Sequence, residues 1–331
     1  MATIYRLARN AFIECIREPI YFLMLSCVMV LIGLFPTAAL FVFREQLKFV
    51  VDSAMAATLV FSLVVVVICS AHTISREMKN GTVLLLMSKP VTRSSFVLAK
   101  ILGVLASVTV FVLLCNASTL ISLLIAKDQF RLEYGPMIVY FSGIAIAAIY
   151  GGAVNYFQQK AFSSNTILAL VLLIPIMAAV MYLIRMSGFH SPAEIDPEEF
   201  IEARHLIPAL LLLFPAAWTM GAIATALATR LELVANLTVC SVIFVVGLMS
   251  KYLVNLWIAP TDAFTEAVAL FIRAILPNWQ YFWMADAIAS RQVIPVSYLL
   301  WSLVYVVFYI GFWTFWAITF FSEREIAKDS R

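Results

Sequence analysis

From Leu206 to Thr229 the chain carries no Asp, Glu, Lys or Arg, and seven further stretches are built the same way: Pro19–Phe43, Ser53–Ser75, Ile101–Ala126, Tyr134–Gln159, Ala161–Ile184, Leu233–Ser250 and Gln292–Ser322. A bilayer has a hydrocarbon core about 30 Å thick, which roughly 20 helical residues cross. Backbone amides find no partner there, so a spanning segment must be a helix or part of a closed barrel. Continuous apolarity without period-two alternation selects the helix. The predicted fold class is all-α, a polytopic membrane protein of about eight transmembrane helices. Six is the alternative, and either even count brings the C-terminus back to the side of the N-terminus. With 63% hydrophobic and 12% charged residues, the 331-residue chain has more apolar surface than a soluble core of its size could hide.

Charges gather between the apolar stretches and so mark the topology. With the N-terminus inside, the cytoplasmic segments hold the larger share of Lys and Arg and the exported ones the larger share of acids, as the positive-inside rule requires. Both termini are expected in the cytoplasm, at a cell inner (plasma) membrane. The first stretch is too long for the core of a signal peptide and no clean cleavage site follows it, so it is expected to stay as an anchor. All five cysteines (Cys15, Cys27, Cys69, Cys115, Cys240) lie in apolar or interfacial helix and none forms a short Cys-x-x-Cys pair, which implies neither a disulfide framework nor a metal site. A net charge of +3 spread along span borders gives no stripe for nucleic acid.

Ahead of the first span, Ile4, Leu7, Ala8, Ala11, Phe12, Cys15 and Ile16 share one helical face and Arg6, Arg9, Asn10, Glu14 and Arg17 the other, which predicts an interfacial elbow helix over residues 1–18. Pro19 turns the chain into the membrane. After the second span comes a cytoplasmic loop, residues 75–100. It reads Ser75-Arg76-Glu77-Met78-Lys79-Asn80-Gly81-Thr82, then the apolar Val83 to Met87, then Lys89-Pro90-Val91-Thr92-Arg93. Gly81 stops one short helix, Thr82 caps another and Pro90 closes it. The apolar run is too short to span, so lipid headgroups or another protein must cover it.

These residues resemble the permeases of type-2 ABC exporters. In that family a Glu is followed four residues later by Gly-Thr, a run of Leu, Pro-Val-x-Arg and a Lys opening the next span; here these are Glu77, Gly81, Thr82, Leu84 to Leu86, Pro90, Val91, Arg93 and Lys100. The resemblance implies a coupling helix, with Arg76, Glu77 and Lys79 in polar contact with an ATPase subunit, Met78 in packing and Gly81 at the break. It also implies two copies of a separate ATPase and a second permease, in a homodimer or heterodimer. Typical members have six spans, and the extra pair here would lie between Tyr134 and Ser250. A re-entrant helix pair precedes the last span in that family, and residues 259–291 are the counterpart: Asp262 to Ile275 as one helix, a break at Leu276-Pro277-Asn278, and Trp279 to Ser290 as another. Trp279, Tyr281, Phe282 and Trp283 suit the headgroup zone. In the exported loop 186–205, Asp196-Pro197-Glu198-Glu199 starts a small helix.

Small residues four apart line Gly143, Ala147 and Gly151 in span four and Gly221, Thr225 and Thr229 in span six, and each row runs into a short polar turn, Gln158-Gln159-Lys160 or Arg230-Leu231-Glu232. Such rows serve helix packing. The central portions of spans one to six and of span eight hold no ionisable residue of the kind an ion-coupled transporter needs, and Lys251 at the end of span seven can snorkel outward. No phosphate-binding Gly-x-x-x-x-Gly-Lys-Ser/Thr loop, His-x-x-x-His, paired carboxylate site or Gly-x-Ser-x-Gly elbow occurs. The chain is therefore expected to be no enzyme, to need no cofactor and to work as the permease of an ATP-driven exporter. The other reading is a non-transporting membrane scaffold or assembly partner of other membrane proteins.

Overall fold

The computed structural model of the chain describes residues 2–43, 46–75, 92–127, 131–186, 206–250, 252, 276–284, 292 and 294–329. Among them the α-helices are α1 (Ala2–Arg17), α2 (Pro19–Ala39), α3 (Gln46–Ser70), α4 (Arg93–Ile125), α5 (Tyr134–Gln158), α6 (Phe162–Met186), α7 (Leu213–Ala228), α8 (Leu233–Leu248) and α9 (Val296–Asp329). A π-helical turn, Ala71–Ser75, prolongs α3, and residues 206–211 are helical ahead of α7. The one sheet among the described residues is a two-residue antiparallel ladder, Ala126–Lys127 with Arg131–Leu132, which closes the turn from α4 to α5.

Among the described residues, seven helices are long and apolar enough to cross a membrane: Pro19–Ala39, Gln46–Ser75, Arg93–Ile125, Tyr134–Gln158, Phe162–Ile184, Leu206–Ala228 and Val296–Ser322. The eighth, α8, has 16 residues and rises about 24 Å, short of the roughly 30 Å hydrocarbon core. Several helices also outrun the apolar stretches. Helix α3 starts at Gln46, ahead of the Ser53 expected, and α4 at Arg93, ahead of Ile101. Lack of charge marks the hydrocarbon limits, whereas a helix continues into the headgroups, where long basic side chains reach water.

Helices α3, α4 and α7 form the centre and are the most buried; α5, α6 and α9 keep large apolar side chains exposed around the outside, as lipid-facing helices do. Helix α2 lies on α3 and α4, α8 on α3 and α7, and α9 on α7 and α4, while α5 and α6 form a hairpin against α2 and α4. Pro36 and Pro175 lie inside α2 and α6. The α5–α6 turn passes through Gln159 in the left-handed region (φ 53°), and Asn155 Nδ2 donates to Lys160 O at 2.7 Å to close it.

Helix α1 turns its apolar face onto α4 rather than outward. Ala11 and Cys15 are fully buried and Ile16 nearly so, while Arg6, Arg9 and Arg17 stay exposed. The crossing point is Gly103: a methyl group added there would stand 2.5 Å from Ala11 Cβ and 2.8 Å from the Ala8 carbonyl oxygen. Only hydrogen at that position lets the two backbones come this close. Gly103→Leu should therefore push α1 off α4 at an overpacking cost of about 1–3 kcal/mol, raising trypsin cleavage at Arg9 and Arg17 in nanodiscs by about tenfold or more. Gly152→Leu, at a site with nothing within 4 Å of an added carbon, should leave the cleavage rate unchanged.

Candidate functional site

The coupling stretch begins where the chain leaves α3 and ends where it enters α4. Arg76, Glu77, Met78, Lys79, Gly81, Thr82 and Pro90 lie outside the described residues, as does the helix expected from Asp196; Arg93 is described, exposed, as the first residue of α4. Both borders of the stretch are held.

On the α3 side the helix widens into the π-turn Ala71–Ser75. Such turns are rare and recur at functional sites. The Ser75 hydroxyl faces two carbonyls of the α7–α8 turn, Ala228 O at 2.8 Å and Leu231 O at 3.2 Å. One turn back, Asn236 of α8 is fully buried; its Nδ2 donates to Ala224 O at 3.0 Å and reaches Ser70 Oγ at 3.4 Å, while Cys240 Sγ donates to its Oδ1 at 3.3 Å. One amide thus joins α3, α7 and α8 beside the exit of the stretch.

On the α4 side Thr92 caps the helix, its Oγ1 accepting from Ser95 N at 3.4 Å. Two turns in, Lys100 is 3% exposed, its ammonium 3.1 Å from Glu14 Oε2 and 5.7 Å from the centre of the Phe96 ring. Phe96 packs on Phe321 near the end of α9, in a cluster with Val97, Ile101, Ala226 and Ala317, and Arg230 lies 5.8 Å over the Phe320 ring. The ends of α7 and α9, the start of α4 and helix α1 therefore share one rim.

Helix α1 and the residue following it reach both borders. Glu14 pairs with Lys100, and Glu18, the extended residue between α1 and α2, stands 3.0 Å from His72 Nδ1 in the π-turn. The Glu14 side chain is 47% exposed, so its pairing contributes about 0–1 kcal/mol. The steric fit at Gly103 is the larger hold, and the carboxylates set the orientation.

Near the other end of α9, the described turn Leu276–Met284 contains one 3-10 turn, Trp279–Tyr281. Here one expectation changes. Residues 279–284 do not continue as an α-helix, because the Asn278 side chain caps Gln280 N at 3.1 Å and Gln280 Nε2 donates sideways to Leu248 O at 2.9 Å. Trp279 and Phe282 are 1% and 0% exposed, wedged among the helices. Trp279 seats on Gly247 of α8, where an added methyl would come 2.5 Å from its Nε1, and stacks 5.8 Å from Phe244. The indole N–H has no partner, a burial cost of about 1–3 kcal/mol.

The small-residue rows have defined neighbours. Gly143 abuts Met177 and Leu173 of α6, Gly151 abuts Thr166, and Ala147 is buried between them in sequence. Gly221 faces Leu105 of α4, and Thr225 turns its hydroxyl back to Gly221 O at 2.6 Å. Sequence reasoning passed over Glu14, Glu18, Gly103, Asn236 and Gly247 as site residues. The signals were two acids four apart across the end of α1 and its junction with α2, isolated glycines in apolar runs and an asparagine inside an apolar run.

A sequence model described as ABC-2 family transporter protein matches residues 7–318. The chain belongs to the ABC-2 transporter family. No curated protein and no solved structure matches it. ABC-2 permeases are multi-pass membrane components of transporters that work with ABC ATPases and are not themselves typically catalytic. The borders described above are thus those of a permease.

Asn236→Leu should destabilise this ABC-2 chain by about 1–3 kcal/mol in a mixed-micelle unfolding titration, since it removes the amide that joins three helices. Thr238→Leu, exposed on the same helix, should stay within about 0.5 kcal/mol.

Proposed function

We propose that the chain is the single-domain permease of an ATP-driven exporter of the inner membrane, working as two permeases with two copies of a separate ATPase, and that residues 76–91 carry the coupling helix. The observation that carries this reading is that α1 and the residue following it reach both borders of the stretch, through Glu18 at the α1–α2 junction on the α3 side and Glu14 of α1 on the α4 side. A push on a stretch so bounded reaches α3, α4 and α1 together. Arg76, Glu77 and Lys79 make the polar contacts with the ATPase, Met78 packs in its cleft, Gly81 and Thr82 break and restart the helix, and Pro90 and Arg93 set its return. Closure of the ATPases on ATP drives this element and tilts α3 and α4, opening a path toward the exported side. The rows at Gly143, Ala147 and Gly151, and at Gly221 and Thr225, pack the subunit internally.

Eight crossings fit this arrangement. The C-terminal ends of α7 and α9 lie on one rim through Ala226 and Phe321, and α9 starts at the opposite end of the bundle, so the chain between them must cross once. Helix α8 is the described helix in that interval. Helix α1 shares the rim with the C-terminal part of α9, which supports the reading of both termini on one side, the cytoplasmic one.

Purification of the tagged chain with its ATPase tests the reading. Wild type should retain the ATPase in equal amount, and Glu77→Lys should lose it by about tenfold or more, a like-charge or unpaired contact costing upward of ~1.4 kcal/mol. A Glu77→Lys permease that keeps both partner and ATP hydrolysis rate removes the coupling assignment.

A further inference from the structure

The acids of α1 and of its junction with α2 already have partners: Glu14 is taken by Lys100 and Glu18 by His72. The arginines of α1 are placed differently. Arg6, Arg9 and Arg17 fall on the side of the helix away from Gly103 and are exposed, in a row that rises about 16 Å along the axis. The α5–α6 turn brings a fourth base to the same corner. Ser163 Oγ of α6 donates to Arg17 O at 3.0 Å, and the Phe162 ring stands edge-on to Phe22 at 5.2 Å, which draws the turn up to the end of α1. Lys160, three residues before Ser163, is exposed, and its carbonyl is fixed by Asn155. None of these four bases has an acidic partner among the described residues.

Beside them the last turn of α5 sets two aromatic rings, Tyr156 at 76% and Phe157 at 80% exposed. The surface runs on from there into the exposed Ile149 of α5 and Leu168 of α6, which lipid tails cover. Exposed rings at the end of a lipid-facing hairpin belong at the headgroup level, where amphipathic aromatics are enriched. A soluble protein would have to leave these rings in lipid, whereas a headgroup and its glycerol answer base and ring together.

We propose that Arg6, Arg9, Arg17 and Lys160 form a docking face for anionic phospholipid headgroups, with Tyr156 and Phe157 seated at the glycerol level beside them. Guanidinium groups take phosphate oxygens two at a time. A zwitterionic lipid carries the same phosphate together with its own cation, so its net attraction to four unneutralised bases is smaller and the anionic lipid is selected. Bound headgroups hold α1 from the side opposite Gly103, and the elbow is clamped between α4 and the leaflet. That this leaflet is the cytoplasmic one rests on the function proposed above; the binding does not.

Native mass spectrometry tests the face by counting the lipids retained on the permease. The permease–ATPase complex is released, without ATP, from bilayers of equimolar phosphatidylglycerol and phosphatidylcholine. Wild type should retain phosphatidylglycerol in preference. The double variant Arg17→Gln, Lys160→Gln should lower that preference about fivefold for each base removed, with the ATPase still bound. Arg17→Lys with Lys160→Arg, which keeps both charges, should retain it. An excess of free inorganic phosphate should not displace the lipid, because the rings hold the glycerol end as well.

Equal retention of the two lipids by wild type overturns the proposal, as does a glutamine variant with an unchanged ratio. So does a charge-keeping variant that loses as much as the glutamine one. Displacement by phosphate means a simple anion site, and loss of the ATPase with an unchanged lipid ratio means a protein contact; either replaces the lipid face. These outcomes are separate from the fate of Glu77→Lys. A permease that keeps phosphatidylglycerol and not its ATPase loses the coupling assignment alone, and one that keeps its ATPase with no lipid preference loses the lipid face alone.

Discussion

Lipid tails are as apolar as leucine, so the force that packs a soluble core does not hold these helices to one another. Association in a bilayer depends on close approach and on hydrogen bonds that leave the helix of origin, each worth about 0.6–2 kcal/mol. The chain uses both at the same contacts. Tyr140 of α5 donates to Met29 O of α2 at 2.8 Å with its ring lying against Gly33, and Ser122 of α4 donates to Ile32 O at 2.8 Å one turn along. Tyr21 of α2 bonds Ser107 O of α4 at 2.9 Å, and Asn116 bonds Leu210 O at 2.9 Å beside the break at Leu212 that precedes α7. In each case a polar side chain buried in one helix takes a carbonyl of its neighbour as a second acceptor site, so no backbone bond has to be given up.

These bonds divide the molecule into parts of unequal stiffness. The central three helices are bound to each other and to α2 through buried polar side chains. The α5–α6 hairpin and α9 present mainly apolar surface outward. The two borders of residues 76–91 belong to α3 and α4, which are central, and their additional ties run to α1, α7 and α8 rather than to the outer hairpin.

Much of this was legible in the residues. Charge-free runs gave the seven long helices, because lipid penalises an ionisable side chain within about 15 Å of the midplane far more than any propensity can offset. Those runs could not give the helix ends at Gln46 and Arg93, since beyond the hydrocarbon a helix continues at no such penalty. The elbow face was readable from period 3.6, but not that its apolar side meets α4, because an amphipathic helix offers the same face to lipid and to protein. The burial of Trp279 was not legible for a related reason: the notch it seats in is the glycine at 247, far away in sequence. Among the proposed contact residues 76–91, sequence resemblance is the sole source of their roles.

How α1 is attached decides what it can transmit. An exposed carboxylate such as Glu14 is shared between its lysine and water, and at physiological salt the Debye length is about 8 Å, so the pair bends under load by letting water in. The contact at Gly103 behaves otherwise. Two backbones already at van der Waals distance meet a repulsion that rises steeply within a few tenths of an ångström, and interiors packed to this density pass strain on instead of absorbing it. On the function proposed above, displacement of α1 would reach α4 through Gly103, and Glu14, with Glu18 at the α1–α2 junction, would keep α1 in the register in which that contact can form. A helix lying on lipid alone, with the same charges and no such notch beneath it, would slide.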